Sequence, residues 1–155
     1  MLSSQPVRIH DDATSSIHAC AEQSRQRETG GLLLGWWETD AIVVRHAIEV
    51  SDPEATATSW TREEHRSTAA LATALEQFEH PWLGYVGDWH THPAPSGASS
   101  TDRRSIRRAS RGYGHPLVLI VHRSDGLLDC RAARRGLPVR TSTEPFHTPS
   151  SEESL

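Results

Sequence analysis

Lysine and asparagine are absent from this chain of 155 residues, so all 16 basic side chains are arginine. No side-chain amine is available to accept an isopeptide-linked modifier, and no asparagine to accept an N-glycan. Cysteine is scarce: Cys20 and Cys130 lie far apart and form no Cys-x-x-Cys pair. With one on a helix face and the other in a strand, they are expected to be free buried thiols rather than a disulfide. No apolar run approaches the roughly 18 residues of a membrane span, and the N-terminus lacks the charged-then-apolar pattern of an export signal, so a cytoplasmic protein is expected. The net charge of -4 is mild and gives no global case for a nucleic-acid or membrane partner. The length suits one domain with a real core and leaves no room for a second catalytic module.

Histidine, by contrast, is plentiful, with ten residues. Most are expected to do no chemistry. His10, His18, His65, His80 and His147 read as surface residues, while His115 and His122 flank an apolar run and read as packed or half-exposed. His90 and His92 stand apart, in Gly87-Asp88-Trp89-His90-Thr91-His92-Pro93. Successive side chains of an extended segment alternate faces, so two histidines one residue apart point to the same side and can share one cation. Asp102, ten residues after His92 in Ser99-Ser100-Thr101-Asp102, offers a third ligand. Two imidazoles and a carboxylate suit zinc better than calcium or magnesium, and three protein ligands leave a fourth tetrahedral position for water, as catalytic sites do.

Hydrophobic patterning alternates helix and strand. Residues 12–27 read as a helix with Ala13, Ile17, Cys20, Ala21 and Ser24 on one stripe, ended by Gly30-Gly31. Residues 32–37 and 41–50 read as two strands of a hairpin. A loop spans 51–59, and Thr61-Arg62-Glu63-Glu64 fits a capping box opening a helix to about residue 79, with Thr68, Leu71, Leu75 and Phe78 on its apolar face. Residues 82–89 read as a central strand that delivers the histidines at its C-terminal end. Ser99 to Asp102 doubles as a capping box, so the aspartate opens a helix to about residue 111, and one helical turn brings Ser99 and Asp102 together. Residues 117–122 and 127–134 form a last strand pair across Asp125-Gly126. After about residue 139 the composition turns to Ser, Thr, Pro and Glu; residues 141–155 are expected to be a disordered tail and 1–140 the domain. The fold class is α/β (α+β), a mixed central sheet flanked by helices.

Upstream, Glu28 in Glu28-Thr29-Gly30-Gly31-Leu32-Leu33-Leu34-Gly35 precedes two glycines and an apolar strand, where a charged side chain must sit at a rim. The set E-x-G-G-x-x-x-G, H-x-H-P and S-x-x-D resembles the JAMM (MPN-plus, JAB) metallopeptidase family, most closely its short prokaryotic branch, over roughly residues 10–135. The nine-residue loop between His92 and Asp102 is one residue tighter than the family pattern. Ser99 keeps its spacing to Asp102, so the deletion falls within residues 94–98, where Pro and Gly make a turn that absorbs it. The resemblance implies a single MPN/JAB-like domain with zinc held by His90, His92 and Asp102, Glu28 as general base and Ser99 helping to hold the oxyanion. It implies hydrolysis of a peptide or isopeptide bond at the C-terminal tail of a ubiquitin-like or sulfur-carrier protein.

Two alternatives are weighed against that reading. Two histidines and a carboxylate also make the triad of mononuclear iron oxygenases, but the visible helices fit their all-β barrels poorly and Glu28 would have no task. A non-enzymatic scaffold of the same fold would tend to have lost ligands, and this chain retains them. Arg103, Arg104, Arg107, Arg108 and Arg111 put five positive charges on the helix beside the site, either a solvated face or a docking patch for an acidic partner or phosphate. Trp36, Trp37, Trp82 and Trp89 are expected in the core, and Trp60 at a cleft that takes an extended peptide beside a free strand edge, with the loop ending at Trp60 as its cover.

Overall fold

The computed structural model of the protein describes residues 4–147. In chain order the elements are β1 (Gln5–His10), α1 (Asp11–Gln23), β2 (Gly30–Trp37), β3 (Ile42–Glu49), α2 (Glu64–Phe78), β4 (Gly84–Thr91), α3 (Ser100–Ser110), β5 (Leu117–His122), β6 (Leu128–Arg134), β7 (Leu137–Val139) and β8 (Thr141–Phe146). The strands form one sheet in the order β7-β6-β5-β4-β2-β3-β1-β8. It is mixed: β2 is antiparallel to both β3 and β4, whereas β4 with β5, and β1 with β3, run parallel.

Alternation along the strands sorts the core onto two faces. Leu33 packs with Ile17, Val86, Trp89 and Ile120 under α1, while its neighbours Leu32 and Leu34 pack with Ala74 under α2. Leu117, Leu119 and Val121 meet Ile106 of α3 on that second side. The result is three layers, with α1 alone on one face, and β4 near the middle of the sheet. Such burial on both faces explains the unbroken apolar run of β5, all six of whose residues are buried. Close strand packing also fixes Gly87, where a Cβ would stand 1.8 Å from the Val118 carbonyl oxygen.

Several expectations need correction. Residues 141–146 are not tail but the edge strand β8, parallel to β1 and in register from Gln5 opposite Thr141 to His10 opposite Phe146. Its side chains are mostly exposed, so backbone pairing and the edge-on contact of Phe146 with the His10 ring hold a segment whose composition offers little to bury. The rest of the expected tail, 148–155, lies outside the described residues. The first helix ends at Gln23 with Ser24 as its C-cap, and the glycine pair belongs to β2.

The second helix opens at Glu64, not Thr61. Glu63 caps it, its carboxylate accepting from the His65 and Arg66 backbone N–H groups, while the Thr61 N–H is taken by Asp52. Its packed face is Ser67, Ala70, Leu71, Ala74 and Phe78, with Thr68 and Leu75 outward, because small residues let the helix approach the sheet. His10 is buried, as the side chain that caps α1 by accepting from the Asp12 N–H. His122 is also buried, with its Nε2 2.7 Å from His18 Nδ1. Trp82 precedes β4 and is 72% exposed, so it is not core. Cys20 and Cys130 are free, as expected, but half-buried.

Ile17 is the one large α1 side chain with no exposure, set between strands on the single-helix face. Ile17→Ala is expected to lower the unfolding free energy by about 2–5 kcal/mol, measured by urea titration. A loss under about 1 kcal/mol would show that α1 is not held by this contact.

Candidate metal centre

The register of β2 on β4 builds the site. Gly30 lies opposite His90, and the ladder continues one step past β2: the Thr91 N–H donates to the Thr29 carbonyl at 2.8 Å and the Thr29 N–H to Thr91 Oγ1 at 3.0 Å. The next residue outward on each chain is Glu28 and His92. Their side chains meet, with His92 Nε2 3.4 Å from Glu28 Oε1. Glu28 is itself fixed by its N–H, which donates to the Thr56 carbonyl at 2.7 Å, and it is buried, only 6% exposed.

His90 and His92 point the same way, as their spacing requires, with Nε2 atoms 3.2 Å apart. Asp102 reaches them from the first turn of α3: Oδ1 is 3.3 Å from His90 Nε2 and Oδ2 is 3.3 Å from His92 Nε2. The expected capping box is formed, with Ser99 Oγ accepting from the Asp102 N–H at 3.1 Å and Asp102 Oδ2 accepting from the Ser99 N–H at 2.8 Å. The Ser99 hydroxyl also hydrogen-bonds the Asp102 carboxylate. His92 Nδ1 faces the Ser96 carbonyl at 3.0 Å. Only an N–H can bond to that oxygen, so the proton sits on Nδ1 and Nε2 presents a lone pair inward.

This donor set fits a divalent transition metal. Two imidazole nitrogens so close repel unless a proton or cation lies between them, and a carboxylate at 3.3 Å from each adds the negative charge such a cation requires. The ligand atoms of Glu28, His90 and His92 also lie within 4.8 Å of one another, so either carboxylate can complete the set by distance. Environment separates them. Burial would raise Asp102, but hydrogen bonds from His90 and from the Ser99 backbone hold its carboxyl well below the usual carboxylate range. Burial pushes Glu28 up to about 7, with His90 pulling down and Asp102 pushing up. The two carboxyls are thus pushed apart, Asp102 toward the anion and Glu28 toward carrying a proton.

The site opens into a cleft of about 640 Å³ between residues 57–62 and α3, with Trp60, Arg62, Asp88, Ile106 and Leu119 among its walls. Trp60 is at the cleft as expected. Its Nε1 donates to the Val50 carbonyl, and its ring lies so close to Gly30 that a Cβ there would come within 2.7 Å. Asp88 was not singled out in the sequence, although it shares the His90 face two residues earlier. Arg62 donates to Asp88 Oδ1 at 3.1 Å and to the Tyr85 hydroxyl at 2.9 Å, and that hydroxyl donates to Asp88 Oδ2 at 3.0 Å. Burial pushes the Asp88 carboxyl up against the pull of Arg62. The free strand edge expected beside the site is not found among the described residues: β4 is paired on both sides, and the edges of the described sheet are β7 and β8.

No curated protein matches the sequence. The family described as prokaryotic homologues of the JAB domain matches residues 10–135. Among solved structures, the solution structure of protein DSY2949 from Desulfitobacterium hafniense superposes with a TM-score of 0.66 at 14% identity, covering 92% of this chain and 94% of that one. At that identity the likeness is one of fold.

Because Asn at 102 preserves the acceptor of the capping box but removes the charge, Asp102→Asn is expected to change stability by less than about 1 kcal/mol while weakening zinc binding at least about tenfold. Metal titration and thermal unfolding of the same sample read both. Undiminished zinc affinity in Asp102→Asn, and in His90→Ala and His92→Ala, would refute the assignment.

Proposed function

The chain belongs to the family of prokaryotic homologues of the JAB domain, and on that premise we propose that it is a zinc-dependent metallopeptidase acting on a peptide or isopeptide bond at the C-terminal tail of a ubiquitin-like or sulfur-carrier protein. The observation that carries the reading is the meeting of His90, His92 and Asp102 at 3.2–3.3 Å, with a second, buried carboxyl, Glu28, 3.4 Å from His92.

His90, His92 and Asp102 would hold the zinc, whose Lewis acidity would ease the loss of a proton from water near neutral pH and polarise a carbonyl oxygen. Glu28 takes the proton of the attacking water and returns it to the leaving nitrogen. Its burial suits this task, since a carboxyl held near neutrality both accepts and gives a proton. Ser99 lines the cleft beside Asp102, where its hydroxyl can turn to donate to the oxyanion as the carbonyl becomes tetrahedral. No residue here is required to form a covalent intermediate.

The cleft supports a narrow substrate. Residues 57–62 on one side and α3 on the other leave a slot whose small side chains include Ala57, Ser59, Ser105 and Ala109, and a small-residue tail lets backbone approach without clash. The iron-oxygenase alternative has less support, because the mixed three-layer sheet is no all-β barrel and it leaves Glu28 idle.

Glu28→Gln is expected to keep zinc and fold while lowering turnover by about 10² to 10⁴, measured on Gly-Gly-ended fusions of ubiquitin-like proteins. Ser99→Ala is expected to cost a comparable or smaller factor. Full activity of Glu28→Gln would exclude the base assignment, and no hydrolysis by the zinc-loaded wild-type chain of any fusion or free tail peptide would exclude the reading.

A further inference from the structure

The arginines of α3 form a continuous outer face. Arg103, Arg104, Arg107, Arg108 and Arg111 are all exposed, whereas Ile106 and Ser110 face the core. Residues 103, 107 and 111 stack one turn apart, and 104 and 108 form the adjoining row. The turn between β6 and β7 extends the face. The Gly136 N–H donates to Ser110 Oγ at 2.9 Å and Gly136 lies against the Arg111 side chain, which brings the exposed Arg134 and Arg135 to the end of the helix.

Among the described residues none of these seven arginines has a carboxylate within ion-pair distance; Arg27, Arg66 and Arg140 also lack one, while the other six, Arg8, Arg25, Arg45, Arg62, Arg123 and Arg131, each have one. Arg107 and Arg108 in the last turn suit the negative end of the helix, but the rest of the arrangement works against it. Like charges four apart repel, in the pairs 103 with 107, 104 with 108, and 107 with 111, and Arg103 and Arg104 place positive charge toward the positive end of the helix dipole. A face needing only to be wet would gain by mixing signs. In a chain of net charge -4, this concentration is a local departure that helix stability explains only in part.

Its position suggests what does. The inner side of α3 forms a wall of the cleft through Ser105, Ile106 and Ala109, and its first turn supplies Asp102. A protein whose tail enters between 57–62 and α3 therefore brings its folded body over the α3 rim. We infer that the arginine face of α3, with Arg134 and Arg135, is the docking surface for an acidic face of the protein whose tail enters the cleft. The inference rests on the peptidase reading for the destination of the tail, and on the charge pattern for the grip on the body. Nucleic acid fits less well, because no aromatic lies between the arginines of the helix to stack bases, and Tyr113 just beyond it, though exposed, has the Tyr85 ring beside it with centroids 6.0 Å apart.

The test uses one small folded carrier in two surface versions, strongly acidic and strongly basic, each ending in the same flexible Gly-Gly tail and a reporter peptide, alongside the free tail peptide. Binding is read by fluorescence anisotropy and cleavage by release of the reporter. The acidic carrier is expected to bind at least about tenfold more tightly than the basic one, with the difference shrinking as salt rises. A variant carrying Arg104→Glu, Arg107→Glu and Arg108→Glu is expected to lose that preference, keep its unfolding temperature or raise it, and hydrolyse the free peptide as before. Equal binding of the two carriers overturns the inference, as does a preference that survives the triple substitution. So does tighter binding of a short single-stranded RNA than of the acidic carrier, if the same variant abolishes it. Binding of the acidic carrier without cleavage of any substrate leaves the docking surface standing and removes the peptidase reading. Equal cleavage and binding of both carriers does the reverse.

Discussion

The pairing of β2 against β4 is the constraint from which the site follows. An antiparallel ladder assigns each residue a partner, and Gly30 opposite His90 puts Glu28 opposite His92 with no further device. A shift of one residue would turn both histidines to the other face of the sheet. The two threonines at positions 29 and 91 close the ladder at its mouth through three contacts, two to backbone groups and one between hydroxyls at 3.3 Å. Gly30 serves the same end from above, since the Trp60 ring and the Trp89 carbonyl occupy the space a side chain would need. The site is therefore placed by backbone pairing inside a sheet buried on both faces, which limits how far its donors can drift.

Much of this was legible because the chemistry-bearing residues sit where local rules are strict. His90 and His92 share a face by the period of a strand, and Ser99 and Asp102 meet by the geometry of a helix start. Both inferences need only a few neighbouring residues, and both hold. Glu28 was visible through resemblance rather than spacing, because its approach to His92 depends on a partner strand some sixty residues away in sequence. Asp88 was readable by the same alternation that revealed the histidines, yet its meaning depends on Arg62, which arrives from a loop with no periodicity.

The misread elements share a cause. β8 at one sheet edge is held by backbone bonds more than by apolar side chains, so composition said little about it, and the polar stretch after residue 139 looked like solvent-exposed chain. His10 was read as a surface residue because histidine usually is, but here it caps a helix and contacts Phe146 of the last strand. The opening of α2 shows a competition between two valid caps. Thr61 has the right sequence spacing, but Asp52 occupies its N–H, and Glu63 satisfies two orphan donors at once.

One residue does two kinds of work at the mouth of α3. Asp102 closes the capping box and faces both histidines, but the two tasks differ in what they tolerate. The box asks for an acceptor, which asparagine also supplies, whereas the histidine pair asks for a negative charge. Substitution at this position can therefore strip the chemistry and leave the architecture standing, while the opposite outcome has no comparable route. If the proposed hydrolysis is this chain's activity, descent from it is directional: a folded descendant without that activity, keeping the cleft and the arginine helix, lies one residue away, and a return requires a carboxylate again.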